Sequence, residues 1–202
     1  MLHKGPMGAI FEKKTLPALL LALVLAGQPG LLPAAVVEGV ELPDTVQLGA
    51  SRLRLNGAGV REKFFFDIYV AGLYLKRPQH DAAHILAQDG PWRMVMHFLY
   101  RKVGKNKLDE GWEEGFRANL KSAERKRLRP AIDRFKAFFP DLRRDDEVWL
   151  DHLPGKGVTV TLNGQILGRV EGEGFAVALL RIWLGEEPVT RSLKEALLRG
   201  LP

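Results

Sequence analysis

Large apolar residues crowd into Gly57 to Leu75, read GAGVREKFFFDIYVAGLYL. Phe64, Phe66, Ile68, Val70 and Leu73 alternate with other large residues, and no proline interrupts them. Such a run predicts a strand from about Glu62 to Leu75 that is buried on both faces or lies in a curled sheet. Upstream, Val36 to Leu42, Val46 to Leu48 and Ser51 to Leu55 read as short strands, with Asn56-Gly57 as a hairpin signal. Downstream, His80 to Gln88 has helical spacing, and Trp92 to Tyr100 alternates as a strand. Asn106 is placed to cap a helix to about Ser122, with Leu108, Trp112, Phe116 and Leu120 on its apolar stripe and Asn119 on the same side. A second helix is expected over Pro130 to Phe139. Glu147 to Leu153, Gly157 to Leu162 and Gln165 to Val170 read as strands, the last two joined at Asn163-Gly164. Two helices close the chain, Gly174 to Gly185 and Arg191 to Leu198, the second capped by Thr190. Strands, helices, strands and helices again indicate α+β rather than alternating βαβ units.

The first 35 residues have a different character. Lys13 and Lys14 precede the apolar run Leu16 to Ala26, which is followed by Gly27, Pro29, Gly30 and Pro33-Ala34-Ala35. The run is short for a bilayer span. Basic head, apolar centre and small-residue end read as a secretory signal peptide, with cleavage expected near Ala34 or Ala35. The expected organisation is a signal peptide over 1–35 and one domain over 36–202, exported to the periplasm, with no stable membrane span after cleavage.

Composition narrows the chemistry. The 202 residues suffice for one domain with a core. The formal net charge is +6, which permits contact with anionic surfaces without demanding nucleic acid. There is no cysteine, so disulfides, thiol catalysis and thiolate metal sites are excluded. His80 and His84 are the zinc-like pair, one helical turn apart, but no HExxH motif accompanies them. Gly57-Ala58-Gly59 leads into a strand rather than a helix, which argues against a phosphate loop. The basic stretch Lys121 to Arg129 lacks interleaved aromatics and reads as a solvated turn, not a nucleic-acid surface. No GxSxG motif is present. No cofactor or metal is expected.

Arg61 remains. A guanidinium beside so much hydrocarbon needs an acidic partner at a sheet edge or a ligand anion, and the local pattern fits both.

The blocks GAGVREKFFFDIYVAGLYL, FLYRKVGKNKLDEGWEEGFRANL and NGQILGRVEGEGFAVALLRIWLGEEPVTRSLKEALL resemble the chalcone isomerase superfamily, and most of all its bacterial, exported, chalcone-isomerase-like branch. The resemblance implies an open-faced β-sandwich, with a curved antiparallel sheet, helices layered on one face and a ligand cleft between. Arg61 matches the cleft arginine of a GAG-x-R motif. The resemblance places a catalytic threonine at Tyr69, a tyrosine at Trp112, an asparagine at Asn119 and a further threonine at Ile182. Arginine and asparagine are thus kept, whereas Trp112 offers only a donor and Ile182 offers nothing. An enolate oxyanion would lose part of its stabilisation.

The resemblance therefore implies a non-catalytic binding protein for an amphipathic small molecule, fatty-acid-like or another organic acid, held by Arg61, Tyr69, Trp112 and Asn119. An intramolecular lyase or isomerase, with Arg61 as its catalytic residue, is the second reading. A cell-envelope interaction module without ligand is the third.

Overall fold

The computed structural model describes residues 1–2 and 34–200. The expected signal peptide lies almost wholly outside the described residues, and the expected cleavage point falls at the start of the first strand, β1 (Ala34–Val37).

Strand β1 forms a hairpin with β2 (Val40–Pro43), turned by Glu38 and Gly39, both at positive φ. Seven further strands make one antiparallel sheet. They are β3 (Thr45–Leu48), β4 (Ser51–Lys63), β5 (Phe66–Leu75), β6 (Trp92–Phe98), β9 (Glu147–Leu153), β10 (Gly157–Leu162) and β11 (Gln165–Val170). Their spatial order is β11-β10-β9-β6-β5-β4-β3. A small ladder pairs β7 (Lys102–Val103) with β8 (Leu142–Arg143). The helices are α1 (Ala82–Ala87), α2 (Lys105–Asn119), α3 (Ser122–Ala137), α4 (Glu173–Leu184) and α5 (Arg191–Leu198).

Alternation along the central strands sorts side chains between two cores. Tyr69, Ala71, Leu73, Trp92, Met94, Met96 and Phe98 face the helices, where they meet Trp112, Phe116, Phe135, Phe175 and Trp183. Val70, Tyr74 and Val95 face the other way and pack with Leu53, Leu55 and the β1–β2 hairpin residues Val40 and Leu42. The α+β sandwich with helices on one face is therefore present, and the β1–β2 hairpin covers part of the opposite face.

Six local expectations are corrected. Asn56-Gly57 is not a turn, and β4 runs through it with a register shift between Leu55 and Gly57. The side chain of Asn56 explains this. It donates to the carbonyls of Gln79 (2.9 Å) and Leu197 (2.7 Å) and accepts from the Gln79 N–H (2.6 Å). The long hairpin instead turns at Phe64 and Phe65, which are exposed rather than buried.

The basic stretch Lys121 to Arg129 is the first half of α3, and Pro130 lies inside that helix instead of opening it. Ile132, Phe135 and the half-buried Leu128 share the core on both sides of the proline, so burial outweighs the lost backbone bond. The cap of helix α2 is Gly104 rather than Asn106, and Asp141 accepts the N–H of Lys105, the first helical residue, at 2.8 Å. At the start of α5, Thr190 makes no side-chain capping bond.

Candidate functional site: a cleft between sheet and helices

The geometry of the cleft begins with two glycines. A methyl group at Gly57 would stand 2.3 Å from the Ala196 carbonyl oxygen, and one at Gly59 would stand 2.6 Å from the Ala196 Cβ. Helix α5 therefore sits directly on β4, closer than any side chain would allow. Two residues beyond Gly59, where α5 no longer covers the strand, comes Arg61.

Arg61 pairs in register with Tyr69 on β5, which pairs with Phe98 on β6. Cross-strand partners share a face, so all three side chains point toward the helices. They enter a cleft of about 500 Å³. Its sheet side carries Arg61, Phe66, Ile68, Tyr69, Met96 and Phe98. Its helix side carries Leu108, Gly111 and Trp112 from α2, with Ile182 and Val189 beyond. This volume falls in the usual range for small-molecule sites, and most of the lining is apolar.

The polar groups of the cleft are mostly donors. Arg61 makes no ion pair with any acid among the described residues, and its guanidinium carbon lies 5.8 Å from the centre of the Tyr69 ring. The Tyr69 hydroxyl accepts the Trp183 indole N–H at 3.0 Å, which leaves its own proton for another acceptor. Burial pushes the Tyr69 phenol above its ordinary pKa, although the nearby Arg61 charge and the Trp183 bond pull it down. Tyr69 is thus a neutral hydroxyl donor at physiological pH. The indole N–H of Trp112 is buried without a partner. So is the hydroxyl of Thr190, next to Val189 of the cleft wall.

Lysines edge the mouth and are held there. Lys107 donates to Glu110 at 2.7 Å, and Lys102 meets Asp141 at 2.6 Å. The Lys102 ammonium and the Lys105 N–H hold the Asp141 carboxyl below its usual range. Glu110 is the one carboxylate among the lining residues, and Lys107 already engages it.

Arg61, Tyr69 and Trp112 are therefore brought together. Asn119 is not among the cleft residues. Its amide donates to the carbonyls of Gly115 (3.0 Å) and Glu187 (2.7 Å) and accepts the Glu187 N–H (3.3 Å). It ties the loop after α4 to the end of α2, so it positions the cleft wall from behind. Ile182 is cleft floor, packed on Gly115.

Sequence reading missed the mouth residues Lys63, Tyr100, Lys102 and Lys107, because nothing local joins three separate segments at one opening. It also missed a second hollow of about 260 Å³ between α1, β9 and α4. There His152 Nε2 lies 3.2 Å from Glu173 and 4.0 Å from Asp89, while Nδ1 faces the Gly157 carbonyl at 3.2 Å. This is the one cluster with metal-ligand spacing among the described residues. Of the expected pair, His80 contacts the Leu198 carbonyl through Nδ1 at 2.6 Å, and His84 lies in α1 without joining that cluster.

A curved antiparallel sheet with helices on one face, and an apolar cleft between them whose lining includes Arg61, define an α+β open-faced sandwich. The sequence profile of the chalcone isomerase-like family matches residues 34–199, and the chain belongs to that family. Among solved structures it is similar to a fatty-acid binding protein of Arabidopsis thaliana, with a TM-score of 0.64 and 19% sequence identity. The match covers 82% of this chain and 96% of the plant protein, and at that identity it shows the shared fold. No curated protein sequence matches the chain.

Proposed function

We propose that this protein binds an amphipathic organic acid of fatty-acid type, with the carboxylate at Arg61 and the chain along the apolar cleft. The observation that carries this reading is the donor excess. Arg61 has no acidic partner among the described residues, and the Tyr69 hydroxyl has a proton to give. Trp112 adds a buried N–H without an acceptor. A buried donor without an acceptor costs about 1–3 kcal/mol, and a carboxylate supplies only acceptors. The apolar walls act on the tail, where each buried methylene contributes about 0.8 kcal/mol. The tail therefore sets affinity, and the head group sets orientation. The similarity to a protein whose name states fatty-acid binding is consistent with this use of the fold.

Titration with a fluorescent long-chain fatty acid tests the proposal. Binding to the wild type and its loss in Arg61→Ala are expected. Equal binding by both proteins would remove Arg61 from the site. Arginine-dependent ring closure of a chalcone, well above the solution rate, would replace the binding reading with an isomerase.

We also propose that the protein is exported to the periplasm after removal of a signal peptide ending near Ala34 or Ala35. The basic, apolar and small-residue order of residues 13–35 supports this. Mass spectrometry of the exported protein is expected to find residues 1–30 absent. No helix among the described residues is long and apolar enough to cross a membrane.

A further inference from the structure

Large apolar side chains are exposed in several places, but among the described residues three or more gather in only one. At the tip of the β4–β5 hairpin, Phe64, Phe65 and Phe66 are 84%, 99% and 54% exposed. The ring of Tyr100 meets Phe66 edge-on, with centroids 5.5 Å apart, and extends the patch. Three adjacent phenyl rings in water oppose the hydrophobic effect. The backbone adds to the cost, because Phe64 has φ 60, a left-handed conformation that is unfavourable for a bulky residue. Glycine or asparagine would make the same turn without either penalty. Neither folding nor solubility accounts for these residues.

Their placement does. Phe64 and Phe66 border the mouth of the cleft, whereas Phe65 lies outside it. Behind the rings stand Arg61 and Lys63 on the hairpin, with Lys102 and Lys107 across the opening. Arg101 is exposed beside Tyr100. Aromatic rings ahead of a set of cations match a bilayer surface, with apolar groups at the acyl boundary and phosphates level with the ammonium and guanidinium groups. Glu62 and Asp67 on the same hairpin offset part of that charge, and Lys63, Lys102 and Lys107 already meet Glu114, Asp141 and Glu110. The rings therefore contribute more than the electrostatics, and of these cations Arg61 and Arg101 are left without an ion pair among the described residues.

We propose that the Phe64–Phe66 tip docks into the headgroup region of an anionic lipid bilayer and brings the cleft mouth against the membrane. An amphiphile then passes between bilayer and cleft without crossing water. The docking goes beyond the ligand assignment and is measured without any added ligand.

Flotation of the protein, as its host produces it, with vesicles of phosphatidylcholine and phosphatidylglycerol tests the idea. The wild type is expected to float, and to float less with phosphatidylcholine alone. Phe65→Asp and Phe65→Ser are expected to lower partitioning about tenfold or more, since full burial of one phenyl side chain is worth at least that factor. Both variants should keep the wild-type melting temperature, because Phe65 touches no core. A wild type that stays with the soluble fraction overturns the proposal, as do variants that float equally well. A lipid-free dimer that Phe65→Asp dissociates, with no vesicle binding, reassigns the patch to self-association. Fatty-acid binding in lipid-free buffer should be unchanged in Phe65→Asp. If the wild type floats but binds no fatty acid, the ligand assignment falls and the docking stands.

Discussion

Two arginines project from the same sheet into opposite circumstances. Arg93, on β6, is 8% exposed and makes a two-pronged pair with Asp151 on β9, at 2.5 and 2.7 Å. Its guanidinium also lies 4.3 Å from the Trp149 ring centre. Both partners are buried and the geometry is complete, so nothing remains for a ligand. Arg61, on β4, is half-buried beside Tyr69, and no carboxylate among the described residues meets it. The difference lies in where each strand ends. Arg93 sits mid-sheet with a strand on either side, and the partner across the ladder supplies the acid. Arg61 sits beyond the seat of α5, where the sheet opens. A guanidinium thus acts as a brace in one place, and in the other it has no acidic partner among the described residues and is open to the proposed ligand.

The largest expected effect breaks the brace. Asp151→Ala leaves Arg93 buried and uncompensated, which costs about 3–5 kcal/mol. Chemical denaturation should show it as a large drop in the midpoint, with fatty-acid binding intact in the folded fraction. Next comes Arg61, the proposed receptor. Arg61→Ala should leave the denaturation midpoint within about 0.5 kcal/mol of wild type, since no ion pair is lost. Its fatty-acid affinity should fall by about 1.5–3 kcal/mol, the worth of a hydrogen bond to a charged group. A stability loss as large as that of Asp151→Ala would mean that Arg61 is a brace after all.

The smallest effect sharpens the comparison with a third arginine at the surface. Glu113 on α2 meets Arg129 and Lys136 on α3. Hydrogen bonding to Arg129, and then to Lys136, takes its carboxyl from 4.5 to about 2 against the opposing effect of burial. The folded-state value is depressed, so the contribution is complete above about pH 4.5 and disappears as pH falls toward 2. These side chains are partly solvated, so Glu113→Gln should cost only about 1 kcal/mol at neutral pH. Melting curves of the variant and wild type should converge in acid. A difference that persists at pH 2 would assign the loss to packing instead of charge.

Strand ends in the last third of the sheet were legible because their determinants are local. Asn163 and Gly164 both take positive φ, as the dipeptide predicts, and β9, β10 and β11 have the expected limits. The same reasoning failed at Asn56-Gly57. The Asn56 partners Gln79 and Leu197 lie 23 and 141 residues away, and the Gly57 neighbour is helix α5. The triple phenylalanine was read as buried strand for a related reason. Hydrophobic character marks residues that avoid water, and it does not reveal a turn placed among them. Asn119 showed the ambiguity of an amide on an apolar stripe. It needed partners, and the loop at Glu187 satisfied it.

The chain's own order of residues determined the α+β class, most of the elements and the absence of thiol chemistry, and it singled out Arg61 as the candidate head of the cleft. Those properties depend on neighbours within a few positions, where period, turn chemistry and side-chain type act directly. Tertiary structure decided which face Tyr69 takes, which arginine finds an acid and which amide is consumed by a loop. It also decided that three phenylalanines stand in water at the mouth of a cleft. Each of these depends on strand register and helix docking between segments far apart in sequence, and a one-residue change in register would reverse the face of every side chain on the strand.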